Sequence, residues 1–205
     1  MSKIKIGIMG GTFDPIHNGH LILAEYSRLH FDLEKVIFIP TGNPPHKDQN
    51  NISSSKYRYD MTLLAINTNP YFHLSSIEME SQGTTYTIDT IKKLQKKYKD
   101  VDFYFVLGSD SFFNIDKWKD YKELIGLCKF IVVKRPDRDN EDLEDEVKQF
   151  NKRYNSSLHI LEAPLIEISS TNIRNRVKDG LSIKYLVPEA VEDYIKKNQL
   201  YKEWE

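Results

Sequence analysis

Short apolar runs recur along the chain, and residues at helical spacing fill the intervals between them. Ile4, Ile6 and Ile8 alternate with Lys3, Lys5 and Gly7, and Met9 extends the apolar character. The first nine residues therefore read as a strand that ends at Gly10-Gly11. Similar runs follow at Lys35–Pro40, Phe72–Ser76, Asp102–Leu107, Lys129–Lys134 and Leu158–Leu161. Runs this short and continuous suit strands covered on both faces, as in a parallel sheet. Between them, Leu21, Ile22, Ala24, Leu29 and Phe31, then Tyr57, Met61, Leu64 and Ala65, then Ile88, Ile91 and Leu94 fall near helical spacing. A surface helix is expected from Leu143 to Tyr154, and Leu186-Val187-Pro188 introduces a terminal helix through Tyr194 and Ile195. Strands alternating with helices predict an α/β fold, a doubly wound and mainly parallel sheet with helices on both faces.

A chain of 205 residues is long enough for a substantial core and suits one domain. Twenty-nine Lys plus Arg balance thirty Asp plus Glu, for a net charge of −1. That balance argues against nucleic acid or an anionic membrane as partner, so any phosphate chemistry must come from a local site. Cys128, within an apolar run, is expected to be a buried structural thiol, and one cysteine permits no disulfide within the chain. The start, Met1-Ser2-Lys3-Ile4, has no signal-peptide apolar region, and no run approaches the roughly 18 residues of a membrane span. A cytoplasmic protein is expected. The Lys-rich helix from Lys92 to Lys99 and the acidic segment from Asp137 to Glu146 read as solvated faces without assigned function.

Three segments carry the chemistry. The first is Gly10-Gly11-Thr12-Phe13-Asp14-Pro15-Ile16-His17-Asn18-Gly19-His20, between the first strand and the first helix. Two adjacent glycines let the backbone turn and approach a ligand closely. With Asn18 as the expected cap, His17 and His20 sit in the first helical turn, where N–H groups and the helix dipole favour an anion. Three positions apart, the two imidazoles can grip one anion together. The second segment, Thr41-Gly42-Asn43-Pro44-Pro45-His46-Lys47, leaves the carboxyl end of a strand, the edge where open α/β sheets bind ligands. The third is Ile168-Ser169-Ser170-Thr171-Asn172-Ile173-Arg174, hydroxyl residues before a short helix whose Arg174 lies one turn on. Hydroxyls, backbone N–H groups and a guanidinium there can converge on one polyphosphate. Taken alone, a Pro-rich loop is as often a plain turn, and Ser-Ser-Thr is a common helix cap.

With His17-Asn18-Gly19-His20 in place, the chain resembles the nucleotidyltransferases with a His-x-Gly-His signature, and within them the bacterial nicotinate-nucleotide adenylyltransferases. The resemblance implies a Rossmann-like fold and a single nucleotidyltransferase domain over residues 1–205, whose C-terminal helical part from about 168 completes the ATP site. It implies an adenylyltransferase of NAD biosynthesis that joins nicotinate mononucleotide to ATP and releases pyrophosphate, by direct attack without a covalent intermediate. On that reading Gly10, Gly11, Thr12, Phe13, His17, His20, Gly108, Ile168, Ser169, Ser170, Thr171 and Arg174 bind ATP. Asn43, His46, Lys47, Thr84, Thr85, Asp110, Trp118 and Arg135 bind the mononucleotide, with Trp118 stacking on the pyridine. His17, His20, Lys47 and Arg174 carry the catalysis. Mg²⁺ is expected as cofactor, held mainly by ATP phosphates and water because the motifs contain no acidic cluster.

Thr84 and Thr85 precede Ile88 and Ile91 and read as hydroxyl caps of a helix, a reading complete without any ligand. Trp118, between Lys117 and Lys119, fits an ordinary half-buried packing residue equally well. A phosphopantetheine-accepting relative would share the ATP half, but the Pro-Pro-His-Lys loop and Trp118 argue against it. A dinucleotide-binding oxidoreductase should show Gly-x-Gly-x-x-Gly with an acid about 20 residues on, and Gly-Gly-Thr-Phe-Asp-Pro stands there instead. A class I aminoacyl-tRNA synthetase would need greater length, a Lys-Met-Ser-Lys-Ser-like partner and a basic surface. A nucleotide sensor without catalysis stays open.

Overall fold

The computed structural model describes residues 3–43, 52–81, 83–134, 140–164 and 167–202, with side chains 140–142 left aside. Six strands lie in one sheet: β1 Ile4–Gly11, β2 Lys35–Pro40, β3 Phe72–Leu74, β4 Val101–Gly108, β5 Lys129–Lys134 and β6 Leu158–Glu162. Their order is β3-β2-β1-β4-β5-β6, and every pairing is parallel. The crossovers carry α1 Asn18–His30, α2 Ser55–Ile66, α3 Thr87–Lys97, the short α4 Ser109–Phe112, α5 Tyr121–Leu127 and α6 Asn140–Tyr154. Two more helices, α7 Ser170–Lys178 and α8 Glu189–Lys197, follow β6.

The two faces of the sheet read directly from strand periodicity, because successive side chains point to opposite sides. Met9, Val36, Phe38, Tyr104, Val106, Ile131 and Val133 enter one core, together with Ala24 of α1, Met61 of α2, Ile173 of α7 and Val191 of α8. Ile8, Ile37, Ile39, Phe105, Leu107, Phe130 and Val132 enter the other, with Ile91 of α3, Leu124 of α5 and Val147 of α6. Both faces are thus covered, which is why the runs look uniformly apolar in the sequence. Each large aliphatic or aromatic side chain removed from water contributes about 1.5–3 kcal/mol. Cys128 is buried and its thiol is pushed up by that burial, in line with a structural role.

The first strand runs two residues further than its apolar pattern. Gly10 and Gly11 remain in the ladder opposite Ile39 and Pro40, and Thr41 N–H donates to Gly11 O at 2.8 Å. The partner strand continues to Pro40, so the glycine backbone keeps its hydrogen bonds. The strand order departs to opposite sides of β1, with β2 on one flank and β4 on the other, creating a crevice at their carboxyl ends. In α1, Leu29 projects outward at 64% exposure, while Gly19, Ala24 and Ser27 face inward. Among the described residues, no helix is long and apolar enough to cross a membrane.

Candidate active site

The crevice is floored by the loop leaving β1. Phe13 adopts φ 51°, left-handed backbone that costs a residue with a Cβ about 1–2 kcal/mol. The offset is burial: its ring is 2% exposed, packed near Phe38 and edge-on to His20 at 5.1 Å. A Cβ on Gly11 would stand 2.8 Å from that ring, so glycine is required for the fold-back. The buried Phe13 ring therefore props the loop from within the core.

The cap of α1 is His17, not Asn18. Its extended backbone places its N–H on His20 Nδ1 at 3.3 Å, one arm of a capping box. Asn18 is drawn away by the distant segment before α8: its N–H donates to Leu186 O at 2.9 Å and its Nδ2 to Tyr185 O at 2.7 Å. The imidazoles of His17 and His20 stack with centroids 3.7 Å apart. Because His20 Nδ1 accepts, the hydrogen-bond network assigns the proton of its neutral ring to Nε2, a donor suited to a phosphate oxygen.

Burial, and second the nearby His17, holds the His20 pKa well below the usual histidine range. The unfolded chain, near the ordinary value of about 6.5, then binds more protons than the folded chain just below that pH. Stability therefore rises with pH through this window and is lost as pH falls from about 6.5 toward the depressed folded value, by at most about 1.4 kcal/mol per pH unit. Urea denaturation of the wild type and of His20→Gln should diverge in slope across this window, the variant being flatter. Parallel slopes would mean that His20 titrates as in the unfolded chain.

The third sequence segment folds onto the first. Ser169 caps α7, its side chain accepting from Asn172 N at 3.1 Å. Ser170 Oγ donates to Pro15 O at 2.9 Å, and Arg174 donates through one Nη to Asp14 O at 2.8 Å and through the other to Thr171 Oγ1 at 3.3 Å. Two stretches about 155 positions apart thus meet at one loop. Ile168 leads into this turn, half-buried against the core shared by Phe13.

The loop after β2 and the segment before α3 are stitched together differently from expectation. Asn43 Nδ2 donates to Gly83 O at 3.2 Å, and Thr85 N–H donates to Asn43 O at 3.2 Å. Residues 83–85 are thereby tied to the loop after β2, and α3 starts only at Thr87 with Tyr86 as N-cap and without a side-chain capping bond. Thr84 and Thr85 are not the hydroxyl caps that the sequence implies, because the Thr85 backbone is committed across the crevice. Thr84 is exposed and Thr85 buried. Only glycine fits at position 42, since a Cβ would lie 2.3 Å from Glu78 O.

Gly108, Ser109 and Asp110 lie where β4 passes into α4 at the same edge. Trp118 is half-buried and meets Phe105 edge-on at 5.9 Å. Beside it, Lys119 reaches Asp89 at 3.4 Å and lies over the Tyr86 ring at 4.4 Å, which draws the Trp118 loop to the start of α3. His46, Lys47 and Arg135 lie outside the described residues.

Arg58, Asp14 and Tyr201 were given no role of their own in the sequence reading. Arg58 is 2% exposed, and its guanidinium donates to Thr12 O at 2.8 Å, Gly42 O at 3.1 Å and Ser53 O at 3.1 Å. Asp14 is 3% exposed and accepts from Tyr201 Oη at 2.7 Å and from Ser53 N–H at 3.2 Å. Arg58 did leave a signal, because it shares the buried helical stripe of Met61, Thr62 and Ala65. An arginine on such a stripe must be satisfied inside.

The cytidylyltransferase-like family model matches residues 8–176. A Thermoanaerobacter protein named probable nicotinate-nucleotide adenylyltransferase is 47% identical over 201 residues, 98% of this chain and 95% of that one. A Moorella thermoacetica protein of the same name is 46% identical over 199 residues, 97% and 92% of the two chains. Among solved structures, Plasmodium falciparum nicotinic acid mononucleotide adenylyltransferase complexed with NaAD superposes with a TM-score of 0.78 at 25% identity, covering 97% of each chain. With a matching sheet, a His-x-Gly-His turn at its switch point and this degree of identity along nearly its whole length, the chain belongs to the cytidylyltransferase-like family and, within it, to the nicotinate-nucleotide adenylyltransferases.

Proposed function

We propose that the chain joins nicotinate mononucleotide to ATP, giving nicotinate adenine dinucleotide and pyrophosphate in NAD biosynthesis. The observation that carries this reading is the docking of Ser170 and Arg174 onto Asp14-Pro15, which sets a guanidinium, hydroxyls and two imidazoles around one loop. Such a set suits a triphosphate. A mononucleotide phosphate oxygen attacks the α-phosphorus of ATP in line; the bond from that phosphorus to the α–β bridging oxygen breaks, and its electron pair leaves on pyrophosphate. The nucleophile is already anionic, so the protein's task is positioning and charge stabilisation.

In this mechanism His20 Nε2–H, His17 and Arg174 face the β- and γ-phosphates as negative charge builds on the leaving group. Backbone groups of Gly10 to Phe13, together with Gly108 and Ile168 to Thr171, hold the rest of ATP. Lys47, with His46, orients the acceptor phosphate; Asn43 and Thr85 keep the loop walls together, while Thr84, Asp110, Trp118 and Arg135 border the pyridine nucleoside. Mg²⁺ fits as an ion carried by the triphosphate: Asp14 is already committed to Tyr201 and Ser53, and the remaining donors named for ATP are imidazole, guanidinium, hydroxyl and amide. When bound, it neutralises phosphate charge. The same reading makes residues 1–205 one catalytic domain, completed by the C-terminal helices, and a cytoplasmic enzyme without nucleic-acid or membrane partners.

The test is pyrophosphate release from ATP with nicotinate mononucleotide, its amide, phosphopantetheine or no acceptor. Helices leave their first N–H groups unpaired internally, and the start of α3 beside Thr84–Tyr86 offers a carboxylate charge-assisted bonds that a carboxamide NH₂ cannot accept. kcat/KM should favour the acid at least tenfold, from effects on the order of 1 kcal/mol each. Asp89 in that first turn opposes an anion, but its pairing with Lys119 counters it. Equal values for acid and amide would overturn the preference; turnover only with phosphopantetheine would overturn the function.

A further inference from the structure

The two substrate loops are separate segments of chain, and the catalytic geometry depends on the distance between them. Among the described residues, backbone contact joins them where Thr41 N–H meets Gly11 O. Thr12 and Gly42 follow that point on the two segments, the one leading into the loop assigned to ATP and the other into the loop assigned to the acceptor. Among the described residues, the side chain that bridges the two segments is Arg58, with one Nη on Thr12 O, the other on Gly42 O and Nε on Ser53 O. Ser53 N–H in turn binds Asp14, and Asp14 receives Tyr201 from the far end of the chain. The Glu78 carbonyl lies so close to Gly42 that a side chain there would clash with it.

From this geometry we propose that Arg58 is a positioning residue that fixes the spacing of the ATP loop and the acceptor loop, and so the alignment of the attacking phosphate with the α-phosphorus. The proposal rests on the assignment of those loops to ATP and to the mononucleotide. Arg58 is 2% exposed and all three of its nitrogens are engaged by protein carbonyls, so it acts through the loops and not on substrate. A planar fork with donors in fixed directions can hold three carbonyls at set distances; an ammonium on a flexible stem cannot. Misplacement of reacting groups by about 1 Å costs on the order of a hundredfold in rate.

Rapid-quench single turnover, with enzyme in excess over ATP and with nicotinate mononucleotide saturating, separates alignment from loss of folded protein. The rate constant reports geometry, and the amplitude reports the competent fraction. For Arg58→Lys, which keeps the charge beside Asp14, the rate constant should fall about tenfold to a hundredfold with amplitude preserved, while the Kd of ATP alone stays within about threefold. Arg58→Met should show the same direction with a larger loss. A reduced amplitude at an unchanged rate constant, or failure of both variants to fold, would make Arg58 a stability residue and overturn the proposal. A wild type that does not turn over these substrates overturns the loop assignment itself, which is distinguishable because it needs no variant.

Discussion

Replacement of His20 by alanine is expected to lower kcat by about 10²–10³-fold while the chain stays folded, the scale of losing one preorganised donor to a developing anion. The geometry explains why the effect should fall on kcat. His20 Nδ1 is occupied by the His17 N–H, so its orientation is set before substrate arrives, and the edge of Phe13 supports the ring. His17→Ala should lose a comparable amount, because it removes the ring stacked on His20. Stacked partners act as a unit, so the double variant should fall well short of the product of the single losses. Steady-state kinetics of the three variants decides the matter; near-normal kcat for both single variants would remove these residues from catalysis.

Asp14→Ala should be the most destabilising substitution at this site, by about 3–5 kcal/mol, as expected when a buried charge loses its compensating partner. Burial lowers the pKa of the Arg58 guanidinium, and Asp14 is the largest influence opposing that shift. Removing the carboxylate leaves Arg58 less compensated and also strips a partner from Tyr201 Oη, whose pKa is already pushed up strongly by burial, and from Ser53 N–H. Tyr201→Phe removes only the hydroxyl and should cost about 1.5–3 kcal/mol, the worth of a hydrogen bond to a charged group, because the buried carboxylate loses one donor and keeps Ser53 N–H. Urea unfolding gives both numbers. A loss below about 1 kcal/mol in Asp14→Ala would show that Arg58 is compensated by its three carbonyls alone.

Local pattern alone established much of the molecule. The apolar runs were strands within one to three residues, because burial on both faces leaves an uninterrupted apolar trace in the sequence. His17-Asn18-Gly19-His20 and the Ser-Ser-Thr turn were legible because the chemistry of a helix start is written in adjacent residues, whereas the glycine pair, expected as the turn, stayed in β1 because β2 continues beside it to Pro40. Tertiary structure decided the rest. Periodicity says that a strand is buried and not which strand lies beside it, so the order β3-β2-β1-β4-β5-β6 and its crevice emerge only on folding. The cap of α1 moved from Asn18 to His17 because Tyr185 and Leu186, remote in sequence, claim Asn18. The start of α3 moved past Thr85 because Asn43 claims its N–H. Arg58 meets Thr12 across 46 positions and Tyr201 meets Asp14 across 187. A buried polar group must find a partner, but the partner can come from anywhere that the fold brings near, and no local spacing encodes that choice.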